Sequence, residues 1–324
     1  MERLDAYMAR ANAAFYAGCD PLAGFATAPE ISQVFGELLG AWAVVAWQAM
    51  GSPAPVVWAE AGPGRGTLMA DAVRVLARIA PDFMVAARLH LVETSPSLRA
   101  MQAARLPGAV WHDRIEELPA GKLMLFANEF LDALPIRQFV RRGAGWTERH
   151  VAGGGFVEIS CDPPPILSAV EGEVMEWGEA ACGIVARLAA RLATQGGAAL
   201  LIDYGPEFSA SGDSLQALRD GKPADPLAAP GTADLTAHVD FQALAEVARA
   251  SGAAVQGPVP QGVFLTRLGL YQRTGILART QNPGQAAALI DAAGRLAEPH
   301  RMGRLFKCMA VCHPGLPPLP GFVA

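Results

Sequence analysis

The sequence predicts an α/β fold, with a mostly parallel sheet flanked by helices and interrupted by a β-rich insertion. Three observations predict it. Short apolar runs with polar tips alternate with helix-like segments between Val56 and Gly205, the order that builds parallel sheets from βαβ units. The first run enters its helix through a glycine-rich turn, Gly62-Pro63-Gly64-Arg65-Gly66. From Ile136 to Ile159 the texture becomes alternating and is broken by Gly143-Ala144-Gly145 and Gly153-Gly154-Gly155, the pattern of a meander.

Composition narrows the function classes. The chain has 324 residues, 52% of them hydrophobic, enough for a large domain with an added lobe. Its net charge of −5 is scattered and no long basic run occurs, which argues against a nucleic-acid partner held on a cationic face. The cysteines, Cys19, Cys161, Cys182, Cys308 and Cys312, are odd in number, and Cys308 and Cys312 have no second pair to complete a zinc site. Free thiols in a reducing compartment, and no metal, are expected. Met1-Glu2-Arg3-Leu4-Asp5 has no basic-then-apolar signal, and the apolar stretch Leu38–Ala49 is too short to span a bilayer. The expectation is a cytoplasmic protein without membrane insertion.

The elements follow in order. Leu4, Tyr7, Met8, Ala11 and Phe15 fall near helical spacing. Thr27-Ala28-Pro29-Glu30 suits a helix start, and that helix runs to about Met50 with a wide apolar stripe. Val56–Glu60 is the first strand, and Leu68–Ile79 a helix with Leu68, Ala72, Val75, Leu76 and Ile79 inward. Strands at Arg88–Glu93, Val110–Asp113 and Leu123–Ala127 follow, the last uninterrupted as a central parallel strand should be. Pro96–Arg105 is the helix between the first two of these. After the meander come a strand at Glu173–Trp177, a helix over Ala180–Ala193 and a strand at Ala198–Gly205. Residues 206–235 read as a long loop, of the kind that is usually functional. Asp240 caps a helix to Ala250, and Ala253–Val259, a helical region 262–299 and Leu305–Cys312 complete the sheet.

The glycine turn puts backbone N–H groups and a helix N-terminus in one place, where the missing Cβ atoms let a ligand approach. A phosphate loop would need Lys-Ser/Thr after the last glycine, and Thr67-Leu68 follows instead. A dinucleotide fingerprint needs G-x-G-x-x-G, and Gly62-x-Gly64-x-Gly66 is one residue tighter. What remains is acid-x-G-x-G-x-G, with Glu60 two residues before Gly62. This resembles motif I of class I S-adenosylmethionine (SAM)-dependent methyltransferases. An acid at the strand tip suits SAM, which carries an ammonium and a sulfonium, and would repel a pyrophosphate.

Polar strand tips supply the other candidates, because ligands of open α/β sheets bind outside the carboxyl ends of the strands. Glu60, Gly62, Pro63, Gly64, Gly66 and Thr67 form the loop. Glu93, with Thr94 beside it, sits where such folds place a carboxylate on ribose hydroxyls; joining the helix cap at Thr94-Ser95-Pro96 is its alternative. Asp113 could accept from an adenine amino group and Ile115 pack on its face. Thr27 and Gln33 belong to a helix that either lids the site or is merely capped and solvated. Asn128, Glu129 and Asp132 project near the methyl group in a place suited to a cationic acceptor, or Asn128 or Asp132 caps the next helix. Asp203 ends the fifth parallel strand, and His238 is either a substrate contact or an ordinary loop histidine.

Six stretches together carry a closer resemblance: Thr27–Ser32, Glu60–Leu68, Leu91–Pro96, Ala127–Pro135, Ile202–Gly205 and Asp234–Phe241. In order and content they are similar to the MidA-like SAM-dependent methyltransferases, a family with a member that methylates an arginine of a respiratory complex I subunit. Members usually carry Gly-Asp-Phe where this chain has Ala23-Gly24-Phe25. The resemblance implies a Rossmann-like, mostly parallel seven-stranded sheet, SAM as cofactor and arginine methylation of a protein partner. Residues 53–135 and 196–324 would form the SAM-binding domain, 136–195 an inserted lobe and 1–52 a helical lid, and a homodimer is an open expectation. Glu129 would orient the acceptor, with Asp132 second and Asp203 third, and Asn128 would hold its nitrogen. Two alternatives stay open: a SAM-binding assembly factor without essential methyl transfer, and a methyltransferase for a small molecule. A nicotinamide oxidoreductase is disfavoured by the tight glycine spacing and by Glu60.

Overall fold

The computed structural model describes residues 1–18, 27–164 and 170–323; Cys19 and Ala23-Gly24-Phe25 lie outside the described residues. The chain begins with β1 (Glu2–Arg3) and α1 (Leu4–Tyr16). The single helix expected from Thr27 to Met50 is instead α2 (Ala28–Ile31) and α3 (Gln33–Ala49). Ser32 breaks it in an extended conformation and restarts it, its hydroxyl accepting the Val34 N–H at 3.2 Å. β2 (Val56–Ala61) leads through the glycine loop to α4 (Thr67–Ile79), which buries Leu68, Met69, Ala72 and Leu76. Val75 is only half-buried, and Ile79, at the end of the expected stripe, is exposed. A short α5 (Pro81–Ala86) precedes β3 (Ala87–Val92), α6 (Pro96–Arg105) and β4 (Val110–His112).

β5 (Leu123–Asn128) is followed by the meander β6 (Arg137–Arg142), β7 (Gly145–Ala152) and β8 (Gly155–Cys161), then β9 (Val174–Trp177), α7 (Glu179–Gln195) and β10 (Gly197–Tyr204). The stretch expected as loop holds a small sheet of β11 (Gln216–Arg219), β12 (Lys222–Ala224) and β13 (Asp234–Thr236). Its signal was the dipeptide Asp220-Gly221, whose φ values of 51° and 70° fit a type I′ hairpin turn. The chain ends with α8 (Phe241–Ala250), β14 (Ala254–Pro260), α9 (Gln261–Arg267), α10 (Leu270–Ala278), α11 (Pro283–Ala297) and β15 (Phe306–Cys312).

The main sheet has seven strands in the order β14-β15-β10-β5-β2-β3-β4, parallel from β10 to β4 and antiparallel on both sides of β15. One face is covered by α3, α4 and α9–α11, the other by α7 and α8. Trp58 and Phe126 of adjacent strands meet Phe83 and Trp42 in edge or tilted ring contacts with centroids 5.1 to 6.3 Å apart. Full burial of each such ring is worth about 1.5–3 kcal/mol. α3 presses close on α4 through Gly36 and Gly40, where an added Cβ would stand 2.6 Å from Leu68 O and 3.0 Å from Ala72 Cβ. That contact fixes the helix at whose N-terminus the glycine loop sits. The second sheet joins β1 to β6–β9, with β7 central. α1 packs there and on the third sheet through Leu4, Tyr7, Met8 and Ala11 against Ile136, Val151, Ala217 and Leu235. The two parts of segment 1–52 thus pack on different bodies.

Candidate active site

Strand order reverses between β2 and β5, since β3 and β4 lie on one side of β2, and β5 and β10 on the other. Open α/β sheets bind ligands in the crevice at such a point. A cavity of about 680 Å³ lies there, and its lining runs from the glycine loop past Glu93 and Asp113 to Asn128, Glu129 and the α1 residues Asn12 and Tyr16.

At the loop end, Gly62 has φ of 64° and a Cβ there would stand 2.9 Å from the Phe130 ring. Only glycine meets both conditions. Glu60, Gly62, Pro63, Gly64 and Thr67 all line the cavity. Gly66 does not: it faces Gln102 and Leu106 of the next layer, so its place in the expected ligand surface is corrected to a packing role. Glu60 is buried, and burial pushes its carboxyl up to about 8 against the opposing Met69 N–H. Its Oε2 has no hydrogen-bond partner. A buried carboxylate without a partner is costly, and a cationic group at this strand tip would relieve it.

Glu93 lines the cavity but has already committed Oε1 to the Ser95 N–H at 2.8 Å, so its capping alternative is real. Burial raises its pKa. Thr94, Asp113 and Ile115 line the same wall, with the Asp113 carboxylate held by Arg99 at 2.6 Å. Thr27 also lines the cavity, whereas Gln33 does not; its amide turns along α3 to Glu37 at 3.3 Å. Gln102 escaped the sequence reading. Fully buried, it donates to Gly64 O at 2.6 Å and accepts from Trp111 Nε1 at 2.8 Å, so α6 pins the glycine loop. The available signal was a polar residue four positions after Leu98, on the buried stripe of α6.

At the other end, Glu129 adopts φ of 51°, a left-handed conformation uncommon for a residue with a side chain. Its N–H is anchored on Ile202 O at 2.9 Å, and its Oε1 accepts the Ala28 N–H at 3.1 Å and the Asn128 amide at 3.2 Å. Burial raises its pKa. Asn128 Oδ1 is buried and unpartnered, as is Asp132 Oδ1. Asp132 lies behind the lining rather than in it, its pKa raised by burial and by the charge of Asp203.

Two expected catalytic residues are corrected. Asp203 does not line the cavity: its Oδ2 accepts the N–H groups of Leu131 and Asp132 at 2.9 and 3.2 Å, and its Oδ1 that of Tyr204 at 3.0 Å. It shapes the turn that presents Asn128 and Glu129. His238 lines a separate cavity of about 520 Å³ across Leu134, its ring edge-on to Tyr204 at 5.7 Å. Among the described residues there is no cluster of ligands for a metal ion, and no helix is long and apolar enough to cross a membrane.

Comparison with known proteins gives the family and a matching fold. Residues 38–259 match the family described as "Putative S-adenosyl-L-methionine-dependent methyltransferase". The zebrafish (Danio rerio) protein arginine methyltransferase NDUFAF7, mitochondrial, is 34% identical over 322 residues, covering 89% of this chain and 76% of the relative. The human protein of the same name is 32% identical, with 89% and 73% covered. A COG1565 superfamily member from Burkholderia thailandensis, crystallised with S-adenosyl-homocysteine bound, superposes with a TM-score of 0.82 at 28% identity, covering 99% of this chain and 90% of that one. The expectation of a cytoplasmic protein is overturned by these relatives, which are named as mitochondrial. SAM is the cofactor of this fold, and the seven-stranded sheet with its loop at the β2 tip is the one the resemblance implied. The chain belongs to the S-adenosyl-L-methionine-dependent methyltransferases, in the family that contains the NDUFAF7 proteins.

Proposed function

We propose that this chain methylates an arginine side chain of a partner protein, a respiratory complex I subunit being the first candidate, and that it works as a homodimer. The observation that carries the reading is the charge of the acceptor end. Away from the cavity two buried acids are paired: Glu37 takes Arg74 at 3.0 Å and Arg273 at 2.6 Å, and Glu148 takes Arg137 through two bonds of 2.7 and 2.9 Å. Asp132 and Asp203 are equally buried and Glu129 is half-buried, yet none has an ion pair among the described residues. Glu129 on the cavity wall, with Asp132 and its unpartnered Oδ1 behind it, suits a cation brought in by the substrate.

In this reading residues 53–135 and 196–324 hold the cofactor, while the 136–195 insertion and segment 1–52 shape the acceptor side. Glu60 accepts from the methionine ammonium, Glu93 and Thr94 border the ribose, Asp113 and Ile115 the adenine, and Thr27 closes over them. When bound, SAM supplies an electrophilic methyl group on its sulfonium. Guanidinium has a pKa above about 12, so it enters charged. Glu129 orients one nitrogen and takes its proton as the new bond forms, and Asn128 Oδ1 accepts from the same nitrogen, with Asp132 behind them. Holding the reactants in line accounts for about 7–11 kcal/mol of the barrier. The test is transfer of an isotope-labelled methyl group from SAM into proteins of a cell lysate, with the modified residue identified. Label on arginine is expected; label on lysine, on a carboxylate or on a small molecule would overturn the reading.

A further inference from the structure

The acceptor end has a second wall that the reaction described above does not use. It comes from α1, far from the glycine loop in sequence. Asn12 fastens this helix by donating to Ala133 O at 2.9 Å and Leu235 O at 2.8 Å, while its Oδ1 accepts the Leu235 N–H at 3.0 Å. One turn later Tyr16 lines the cavity, and its hydroxyl meets Asp234 Oδ1 at 2.8 Å. Tyr16 stays protonated, because burial and the charges of Asp234 and Asp132 raise its pKa. Asp234 is pushed up only to about 6, so near neutral pH it is an acceptor without a proton to give. The hydrogen bond therefore has one direction: Tyr16 donates, Asp234 accepts. The lone pairs of the Tyr16 oxygen are left for an N–H donor. Asn128 Oδ1, buried and unpartnered, lines the same cavity.

We propose that Tyr16, its hydroxyl proton fixed on Asp234, accepts a hydrogen bond from the guanidinium edge that Glu129 and Asn128 leave unbound, and so selects guanidinium over ammonium. The inference rests on the arginine reading and deepens it. Guanidinium is planar and carries donors on two edges, so it spans Glu129 and Tyr16 together; a compact ammonium satisfies Glu129 alone. Asp234 is a positioning residue that acts through Tyr16.

The experiment titrates methylguanidinium and methylammonium, followed by NMR, into the protein with S-adenosyl-homocysteine bound. In Tyr16→Phe, methylguanidinium affinity should fall about tenfold or more, the size of a lost bond to a charged group. Methylammonium affinity should stay within about twofold. Asp234→Asn keeps a polar partner for Tyr16 but lets an amide donate to its oxygen, and should cost methylguanidinium about threefold or more with S-adenosyl-homocysteine affinity unchanged. Equal losses for both cations would mean that Tyr16 merely seats α1, and unchanged methylguanidinium affinity would mean that it touches no acceptor; either result overturns the inference and leaves the arginine reading standing. A wild-type protein that binds methylammonium but not methylguanidinium would overturn both.

Discussion

The cavity's two ends are built by different means. The end proposed for the cofactor comes largely from one stretch, Glu60 to Thr67, joined by Glu93 and Thr94 at the next strand tip. The end proposed for the acceptor gathers Asn12 and Tyr16 from α1, Asn128 and Glu129 from β5 and the turn after it, and Asp234 from β13. The first is local geometry, set by a strand, a turn and a helix start. The second exists only once three sheets have come together. Cofactor binding and acceptor recognition should therefore fail separately, and substitutions at each end test that division.

The largest effect is expected at Gly62. Gly62→Val puts a β-branched side chain at φ of 64° and against Phe130. Strain of about 1–2 kcal/mol from the backbone alone, with the clash added, should lower SAM affinity by about a hundredfold or more, measured calorimetrically. Glu60 should show a proton linkage. Its carboxyl sits at about 8 in the protein alone, and a cation prefers it ionised. SAM affinity should rise as pH increases from 6 to 8, by up to about tenfold per unit, and level off above. Binding in that window should release a proton, and Glu60→Gln should abolish both the slope and the release. The same shift acts on stability with the opposite sense: a raised carboxyl favours the fold below its unfolded value of 4.5, and that contribution is lost as pH rises towards 8. The smallest effect is expected at His238, which faces the other cavity. His238→Ala should leave SAM affinity and methyl transfer within about twofold.

What the sequence made legible follows the same division. The glycine loop, the strand tips and the meander are periodic or contiguous patterns, and they could be read without tertiary knowledge. The break at Ser32 and the hairpin at Asp220-Gly221 had local signals that a longer pattern overrode. Asp203 looked like a reactive acid because it ends a strand, but three backbone N–H groups claim its oxygens, and no spacing rule reveals that. Gln102 and Tyr16 matter through partners 38 and 218 residues away. The cytoplasmic expectation rested on the absence of a leader pattern, and an absence carries little weight against relatives named as mitochondrial.

In the proposed reaction everything turns on one assignment, that Glu129 serves the acceptor and not the cofactor. It is tested most directly by measuring SAM affinity and single-turnover methyl transfer side by side in Glu129→Gln. Removing an orienting carboxylate should cut transfer by about a hundredfold or more while SAM affinity stays within about threefold. Transfer that survives intact, or a loss of SAM affinity as large as the loss of transfer, would contradict it.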